Sequence, residues 1–508
     1  MNIIITLAGK SLRFKSSGYK KEKFLLKIGE KKIILNKVVE MFNSNDTFHF
    51  IISETQSKIP NLKKIIKSSS KKNFIHIIKN HNKGPVFSAL NVKNINFDEP
   101  IIIAYCDFFV RWDYKRFLRN IYDLDGSIPV FKDFHPSSFS GTLYAYIKTD
   151  KKNNFIKIKE KSSFTKIPHT EYASCGIYYF KSFNIFSTFA KKLFNKNKGE
   201  AYVSLIYNHM QKAKLKINVF EVEKFICLGT PFDYENYVFW QKYFKKNVFF
   251  KTITKSKTNN LIPISGEGKR FRDYGYRVPK PLIEINKMPM LKFTTDTFPK
   301  TENWNFIINE NDNKNNRIEK LINQISLKSN IIKIKKITEG PASSCYLAKK
   351  YINKDNPLFI SSCDYLTIFD EKKWNRLIKN KKIDGIIWTS KLNNQIIKSY
   401  NAFGYCAVNK NKFITKIVEK RTISSDPGND HMIVGSFWFK KASYFFDNYL
   451  EAKKNKLTIN DEYYVGNNIN LLLKKKYKFV IFEIDQWISL GDPFELKIFE
   501  YWKNFFEI

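Results

Sequence analysis

Cysteine is scarce in this chain, and what there is does not pair. Cys106, Cys175, Cys227, Cys345, Cys363 and Cys406 form no C-x-x-C and sit mostly inside apolar runs. That excludes a zinc ribbon or a disulfide framework and reads as reduced, buried side chains. The seven histidines make no H-x-x-H or H-E-x-x-H pattern, so a zinc hydrolase has no support. Neither G-x-x-x-x-G-K-[ST] nor G-x-S-x-G occurs, which removes the P-loop and the nucleophile elbow. No apolar run reaches the ~18 residues of a membrane helix. The opening Met1-Asn2-Ile3-Ile4-Ile5-Thr6 has no basic start and no long apolar core. We therefore expect no signal peptide and a cytoplasmic location.

Acidic residues are few as well, 47 against 88 Lys and Arg, a formal charge of +41. A charge of this size points to nucleic acid or an anionic membrane surface. The basic residues are nearly all Lys, however, and spread over the whole length. Asn, Ile and Phe are abundant while Ala and Gly are poor, the drift of an A/T-rich coding sequence. We read the excess mainly as drift, with some attraction for anionic substrates, and expect no specific nucleic-acid partner.

What is present is globular: 508 residues, 43% hydrophobic and 16% aromatic, enough for two to four domains. The chain is organised around Ile264 to Ile285. There an apolar run, Leu261 to Ile264, leads into Gly266-Glu267-Gly268-Lys269-Arg270-Phe271 and then Pro279-Lys280-Pro281. Glycines after a strand let backbone N–H groups approach a phosphate, and the Arg and Lys supply positive charge. The same pattern occurs at the start of the chain at an offset of 257: Gly9 falls on Gly266, Arg13 on Arg270, Phe14 on Phe271 and Lys23 on Lys280. Further along, Pro100 to Asp107 falls on Pro357 to Asp364, and Asp113 on Asp370.

Each half follows one order. Strand-like Phe48 to Ile52 and Asn305 to Ile308 come first, then helical Leu62 to Lys67 and Ile318 to Ile325. Strand-like Asn73 to Lys79 and Asn330 to Ile337 follow, then helices opened by Gly84-Pro85 and Gly340-Pro341, then the strand ending in Asp107 or Asp364. This β-α-β-α-β order predicts an α/β fold with a mostly parallel, doubly wound sheet in each half and ligands at the strands' carboxyl ends. The rest repeats too: Ile156 to Lys161 with Ile414 to Lys420, Cys175 to Phe180 with Val434 to Phe439, Phe225 to Phe232 with Trp487 to Phe494. We divide the chain into domains 1–250 and 261–508, joined by a polar linker, 251–260.

The loop pattern resembles the G-x-G-x-R-[LF] … P-K-P-[LIM] signature of the sugar-phosphate nucleotidyltransferases, the pyrophosphorylases that make NDP-sugars. That family also carries, in this order, an E-K pair, a G-x-[YF]-x-[YF] strand and a W-x-x-x-G-T-P turn. The resemblance covers nearly all of both halves, and the F-[RK]-x-x-G-Y stretch is similar to members from bacterial capsule pathways. It implies two tandem Rossmann-like domains. The implied reaction is attack by an acceptor phosphate on the α-phosphorus of an NTP, with Mg2+ and loss of pyrophosphate. On this resemblance Gly266, Glu267, Gly268 and Lys269 cradle the triphosphate, and Arg270 holds the phosphates that leave. Lys280 stabilises the α-phosphate, Asp364 binds Mg2+, and Glu339 and Gly340 approach the base. Glu419, Lys420 and Gly435 receive the acceptor. The counterparts in the first half are Gly9, Arg13, Lys23, Asp107 (metal), Glu160 and Lys161.

Two departures matter. Where the family places a second metal-binding aspartate, this chain has Cys227 and Ser489. Asp364 then works with water and phosphates, or another carboxylate such as Asp492 substitutes. In the first half Ser11 replaces a glycine, and Glu22 and Phe24 replace both prolines. A glutamate beside the α-phosphate lysine would repel phosphate or neutralise that lysine. The first half is then either a weakened copy or a second active site. Rival readings are a glycosyltransferase, which would normally show D-x-D where Cys106-Asp107-Phe108 and Cys363-Asp364-Tyr365 offer one carboxylate each, and a non-catalytic regulatory or scaffold protein on the same fold. A homo-oligomer stays open.

Overall fold

The computed structural model describes residues 1–137, 144–194, 199–245, 256–285, 287–391 and 400–507. The chain divides into two units, Met1–Lys242 and Tyr243–Glu507. Residues 251–255 of the stretch read as a linker lie outside the described residues, and the first strand of the second half opens within that stretch, at Asn259.

In the first unit Asn2–Thr6 is flanked by Thr47–Ser53 and Ile101–Tyr105, both parallel to it, and Lys72–Ile78 extends the parallel part. Beyond Ile101–Tyr105 the sheet turns antiparallel through Ile177–Phe180. The second unit repeats this: Asn259–Pro263 lies between Asn303–Asn309 and Leu358–Ile360, and the antiparallel part starts at His431–Phe439. Because the strand order reverses at Asn2–Thr6 and at Asn259–Pro263, a crevice opens at the carboxyl end of each. Both glycine loops start there.

The strands read as near-continuous apolar runs because both faces are covered. Side chains alternate between faces. Leu261 and Ile307 therefore enter one core, with Phe445, Tyr449 and Ile469 from the helices Ala442–Lys454 and Val465–Lys474. Ile262, Phe306 and Ile308 enter the other, against Ile318 and Ile322 of Arg317–Ile325 and the buried Trp374 and Trp388.

A short two-stranded ribbon in each half closes the site. Tyr365–Ile368 pairs antiparallel with Gln486–Ser489, and Phe108–Arg111 with Lys224–Cys227. The pairing carries the late Gly turn onto the strand-end aspartate: Leu490 N–H donates to the Asp364 carbonyl and Leu228 N–H to that of Asp107, each at 2.7 Å. Asp370 and Asp113 are N-caps, accepting from Lys373 N–H at 3.0 Å and Arg116 N–H at 2.9 Å, and so stand apart from the site chemistry.

Gly340 and Gly84, each before a helix-opening proline, are held by packing. Gly340 has φ 104° and a Cβ there would stand 2.7 Å from the backbone nitrogen of Tyr463; Gly84 has φ 81° and would meet the Ala201 carbonyl at 2.6 Å. We predict that Gly340→Ala lowers unfolding stability by about 1–3 kcal/mol. An unchanged denaturation midpoint would show that the contact with residues 462–463 relaxes freely.

Candidate active site

The site of the second half is built from three chain segments. The glycine loop leaves Asn259–Pro263 and enters the five-residue helix Lys269–Asp273 through Gly268, whose φ of 63° and ψ of 30° are left-handed. Phe271, 1% exposed, anchors that helix, with Tyr276 edge-on at 5.2 Å. Gly266, Glu267, Lys269 and Arg270 face solvent at the carboxyl end of the strand. The second segment, Pro279-Lys280-Pro281, runs under the loop: a Cβ on Gly268 would stand 3.3 Å from the Cβ of Lys280, and Lys280 Nζ lies 5.8 Å from the centre of the Phe271 ring.

The third segment brings Asp364. Lys280 Nζ donates to Asp364 Oδ2 at 2.7 Å, and the Ser362 hydroxyl donates to Oδ1 at 2.6 Å. Burial of Lys280 works against its charge, but the adjacent Asp364 carboxylate outweighs it and holds the ammonium above the usual lysine range. Arg270 is near enough to oppose that charge. The first half repeats the pair: Lys23 Nζ donates to Asp107 Oδ2 at 2.6 Å, and Lys23 is likewise raised, with Asp107 prevailing over burial.

Glu419 ends the strand Ile414–Glu419, with Lys420 next to it at φ 57°. Its carboxylate sits between two glycines: a Cβ on Gly404 would be 2.3 Å, and one on Gly466 2.2 Å, from its oxygens. Burial pushes Glu419 up to about 7, Lys420 only partly opposing it. Lys420 Nζ donates to the Ala402 carbonyl at 2.8 Å and lies 5.6 Å from the Tyr464 ring centre. Gly435, φ 93°, closes against Tyr365, whose hydroxyl bonds Ser361 and Ser436.

In the first half Gly9, Arg13, Lys23, Asp107, Glu160 and Lys161 line a single cavity of about 580 Å³. A second cavity of about 170 Å³, also lined by Arg13, Asp107 and Glu160, reaches Tyr178 and Gly176. His81, Asn82 and Tyr105 line the larger cavity and had no signal in sequence. The side chains of two residues named for nucleotide contact make exposed ion pairs, Glu339 with Lys453 at 3.2 Å and Glu267 with Arg272 at 3.7 Å.

The late turn holds a carboxylate that the sequence reading passed over. Asp492, weighed as a substitute metal ligand, is the N-cap of Pro493–Phe506, accepting from the N–H groups of Phe494 and Glu495. Glu495 is the one that reaches back, accepting from the Ser489 hydroxyl at 2.6 Å and from Asp492 N–H at 3.2 Å. The D-x-x-E spacing of a capping box was its signal. Beside Gly491, the point a Cβ would fill lies 3.3 Å from Asp364 Oδ2, 3.5 Å from Glu495 Oε2 and 3.5 Å from Ser489 Oγ. Oxygens of this kind are donors that a hard divalent cation takes. The matching point at Gly229 lies 3.6 Å from Asp107 Oδ2 and 3.5 Å from Cys227 Sγ, and burial raises the Cys227 thiol. Among the described residues no group of three or more His, Cys, Asp or Glu could hold a metal by itself.

Among the described residues no helix is long and apolar enough to cross a membrane. No curated protein matches the chain. Of solved structures, the nucleoside-diphosphate-sugar pyrophosphorylase of Vibrio cholerae RC9 is 18% identical, covering 47% of this chain and 99% of its own, with a TM-score of 0.38. The inositol-1-phosphate CTP transferase of T. maritima is 16% identical over 50% of this chain and 98% of its own, with a TM-score of 0.39. A UDP-glucose pyrophosphorylase in complex with UDP-glucose is 16% identical over 50% and 99%, also at 0.39. The family model "Nucleotidyl transferase" matches twice, over residues 3–235 and 260–500. The chain thus belongs to the nucleotidyl transferase family, that of the sugar-phosphate nucleotidyltransferases its motifs resemble, and carries the family's module twice in tandem.

Proposed function

We propose that the second half transfers an NMP from an NTP to a sugar phosphate or a similar phosphorylated small alcohol and releases pyrophosphate. The observation that carries this reading is the half-buried Lys280–Asp364 pair, 2.7 Å long, lying under the glycine loop at the strand ends. Such a transfer needs positioning and charge neutralisation, and no protein nucleophile. An oxygen of the acceptor phosphate attacks the α-phosphorus. The bond from that phosphorus to the bridging oxygen breaks, and pyrophosphate leaves with the electron pair. Lys280, kept charged by Asp364, neutralises the α-phosphate as charge builds, and Arg270 faces the departing phosphates. Glu419 receives an acceptor hydroxyl and Lys420 the acceptor phosphate. Mg2+ would be held by Asp364 with triphosphate oxygens and water, Glu495 beside it, and would supply further neutralisation of the triphosphate.

In our reading the product is an activated head group for surface polysaccharide, made in the cytoplasm where NTPs are available. Base and acceptor are to be found by assay. Pyrophosphate release is measured with each of the four NTPs against sugar and alcohol phosphates. With the pair the second half uses, Lys280→Met should lower kcat/KM by about 10²–10³-fold. Retention of full activity would remove Lys280 from the chemistry.

Glu419 yields a pH prediction. Its folded value, about 7, lies above the ordinary 4.5, so its contribution to stability is full below pH 4.5 and is lost as pH rises through 7. The melting temperature of wild type should therefore fall relative to that of Glu419→Gln across this window. Parallel curves would mean that Glu419 titrates normally.

A further inference from the structure

The departures of the first half from the glycine-lysine motif meet each other in space. Ser11 stands where the second half has Gly268, and Glu22 where it has Pro279. Ser11 keeps the left-handed backbone of its counterpart, φ 51° against 63°. Its hydroxyl donates to Glu22 Oε2 at 2.8 Å and accepts from Lys23 N–H at 3.5 Å. The other Glu22 oxygen pairs with Lys15 at 3.2 Å. The expected neutralisation of Lys23 by Glu22 is therefore absent: Glu22 is buried and bound to the loop, and the ammonium pairs with Asp107 as Lys280 pairs with Asp364. Where Gly268 touches Lys280 directly, Ser11 and Glu22 span the same gap by hydrogen bonds. The loop is braced, with the lysine in the same place.

The acceptor end differs between the halves. The cross-strand partner of Glu160 is Ala145, where that of Glu419 is Gly404. Ser204 takes the place of Gly466 and donates its hydroxyl to Glu160 Oε2 at 2.6 Å. With Cβ atoms on both sides, Glu160 is held by the Ser204 hydroxyl where Glu419 lies between two glycines, and it lines the 170 Å³ cavity. That cavity is walled by Ser174 and the hydroxyl-bearing Tyr105 and Tyr178. The Tyr105 hydroxyl lies beside that of Tyr178 and the Val203 backbone at this wall. In the second half Ser362, Phe437 and Ile433 take the positions of Tyr105, Tyr178 and Ser174.

We propose that the first half is a second catalytic site for nucleotidyl transfer, selective for a more highly hydroxylated acceptor phosphate than the second half uses. The proposal rests on the reading of the second half given above. The step balances in the same way: one P–O bond forms at the α-phosphorus, one breaks, pyrophosphate carries off the electron pair, and no redox change occurs. Lys23 takes the place of Lys280, Arg13 that of Arg270, and Glu160 receives an acceptor hydroxyl.

The test uses the full chain as wild type, Lys23→Met and Lys280→Met, each checked for native melting. Pyrophosphate release is measured with the four NTPs and Mg2+ against aldose, polyol and amino-alcohol phosphates. Binding of non-hydrolysable NTP analogues is counted by equilibrium dialysis. We expect Lys23→Met to lose turnover of the more hydroxylated acceptor by about 10²–10³-fold, and Lys280→Met to lose that of a different acceptor. Wild type should bind two analogues per chain, and each variant one. Loss of all turnover in Lys280→Met, or of the same acceptor in both variants, overturns the proposal while leaving the second-half reading intact. A wild type silent with every pair overturns both. Writing the second half's residues into the first supplies an independent check. Ser11→Gly/Glu22→Pro should keep whatever turnover Lys280→Met retains. If it instead creates turnover in a Lys280→Met chain that had none, the first half is a degenerate copy.

Discussion

A half-buried ammonium held charged by one carboxylate is the interaction on which each half depends. Burial alone would drive Lys280 or Lys23 toward the neutral amine, useless against a triphosphate. Asp364 and Asp107 reverse that, and each pair bridges a separation of 84 residues along the chain. Closing so long a loop costs entropy that the pair cannot offset by itself. The parallel strands on either side of Asn2–Thr6 and Asn259–Pro263 do so, because they bury apolar side chains on both faces. The ion pair is positioned by the sheet, and in turn it sets the electrostatics of the crevice.

The late turn serves the same centre. Its strand pairing puts Gly491 and Gly229 against the aspartates, where a Cβ would lie 3.3 and 3.6 Å from their Oδ2 atoms. The capping-box carboxylate Glu495 stands close to Asp364, so a residue that satisfies a helix N-terminus also adds negative charge beside the site. In the first half Asp233 takes the place of Glu495, accepting from Thr230 N–H and Oγ1 at 3.1 and 2.7 Å and from the Cys227 thiol at 3.4 Å. The two crevices therefore share a plan and differ in their second layer of ligands.

Much of this was legible in the chain as letters. The duplication, the order of strands and helices, and the pairing of a glycine loop with a lysine and a distant aspartate all follow from local pattern and spacing. Periodicity marks which segments are buried, and the residues around Gly84 and Gly340 carry their turns with them. The direction of the strands after Ile101–Tyr105 and Leu358–Ile360 was not legible, because an apolar run looks the same in parallel and antiparallel pairs. The expected neutralisation of Lys23 by Glu22 is absent for a related reason. Adjacency to Lys23 in sequence says nothing about rotamer, and the side chain turned to Ser11 and Lys15.

The repeat, the order of its elements and the identity of the charged groups follow from the letters alone, since these rest on local pattern and composition. How those groups act was settled by the folded arrangement. Whether Glu419 withdraws between two glycines or Glu160 is left facing a cavity depends on a cross-strand partner and on a helix far along the chain. Whether Ser11 and Glu22 weaken the loop or brace it depends on a 2.8 Å contact across a turn. Such outcomes are fixed by distances of a few ångströms between segments that meet only once the sheet has formed.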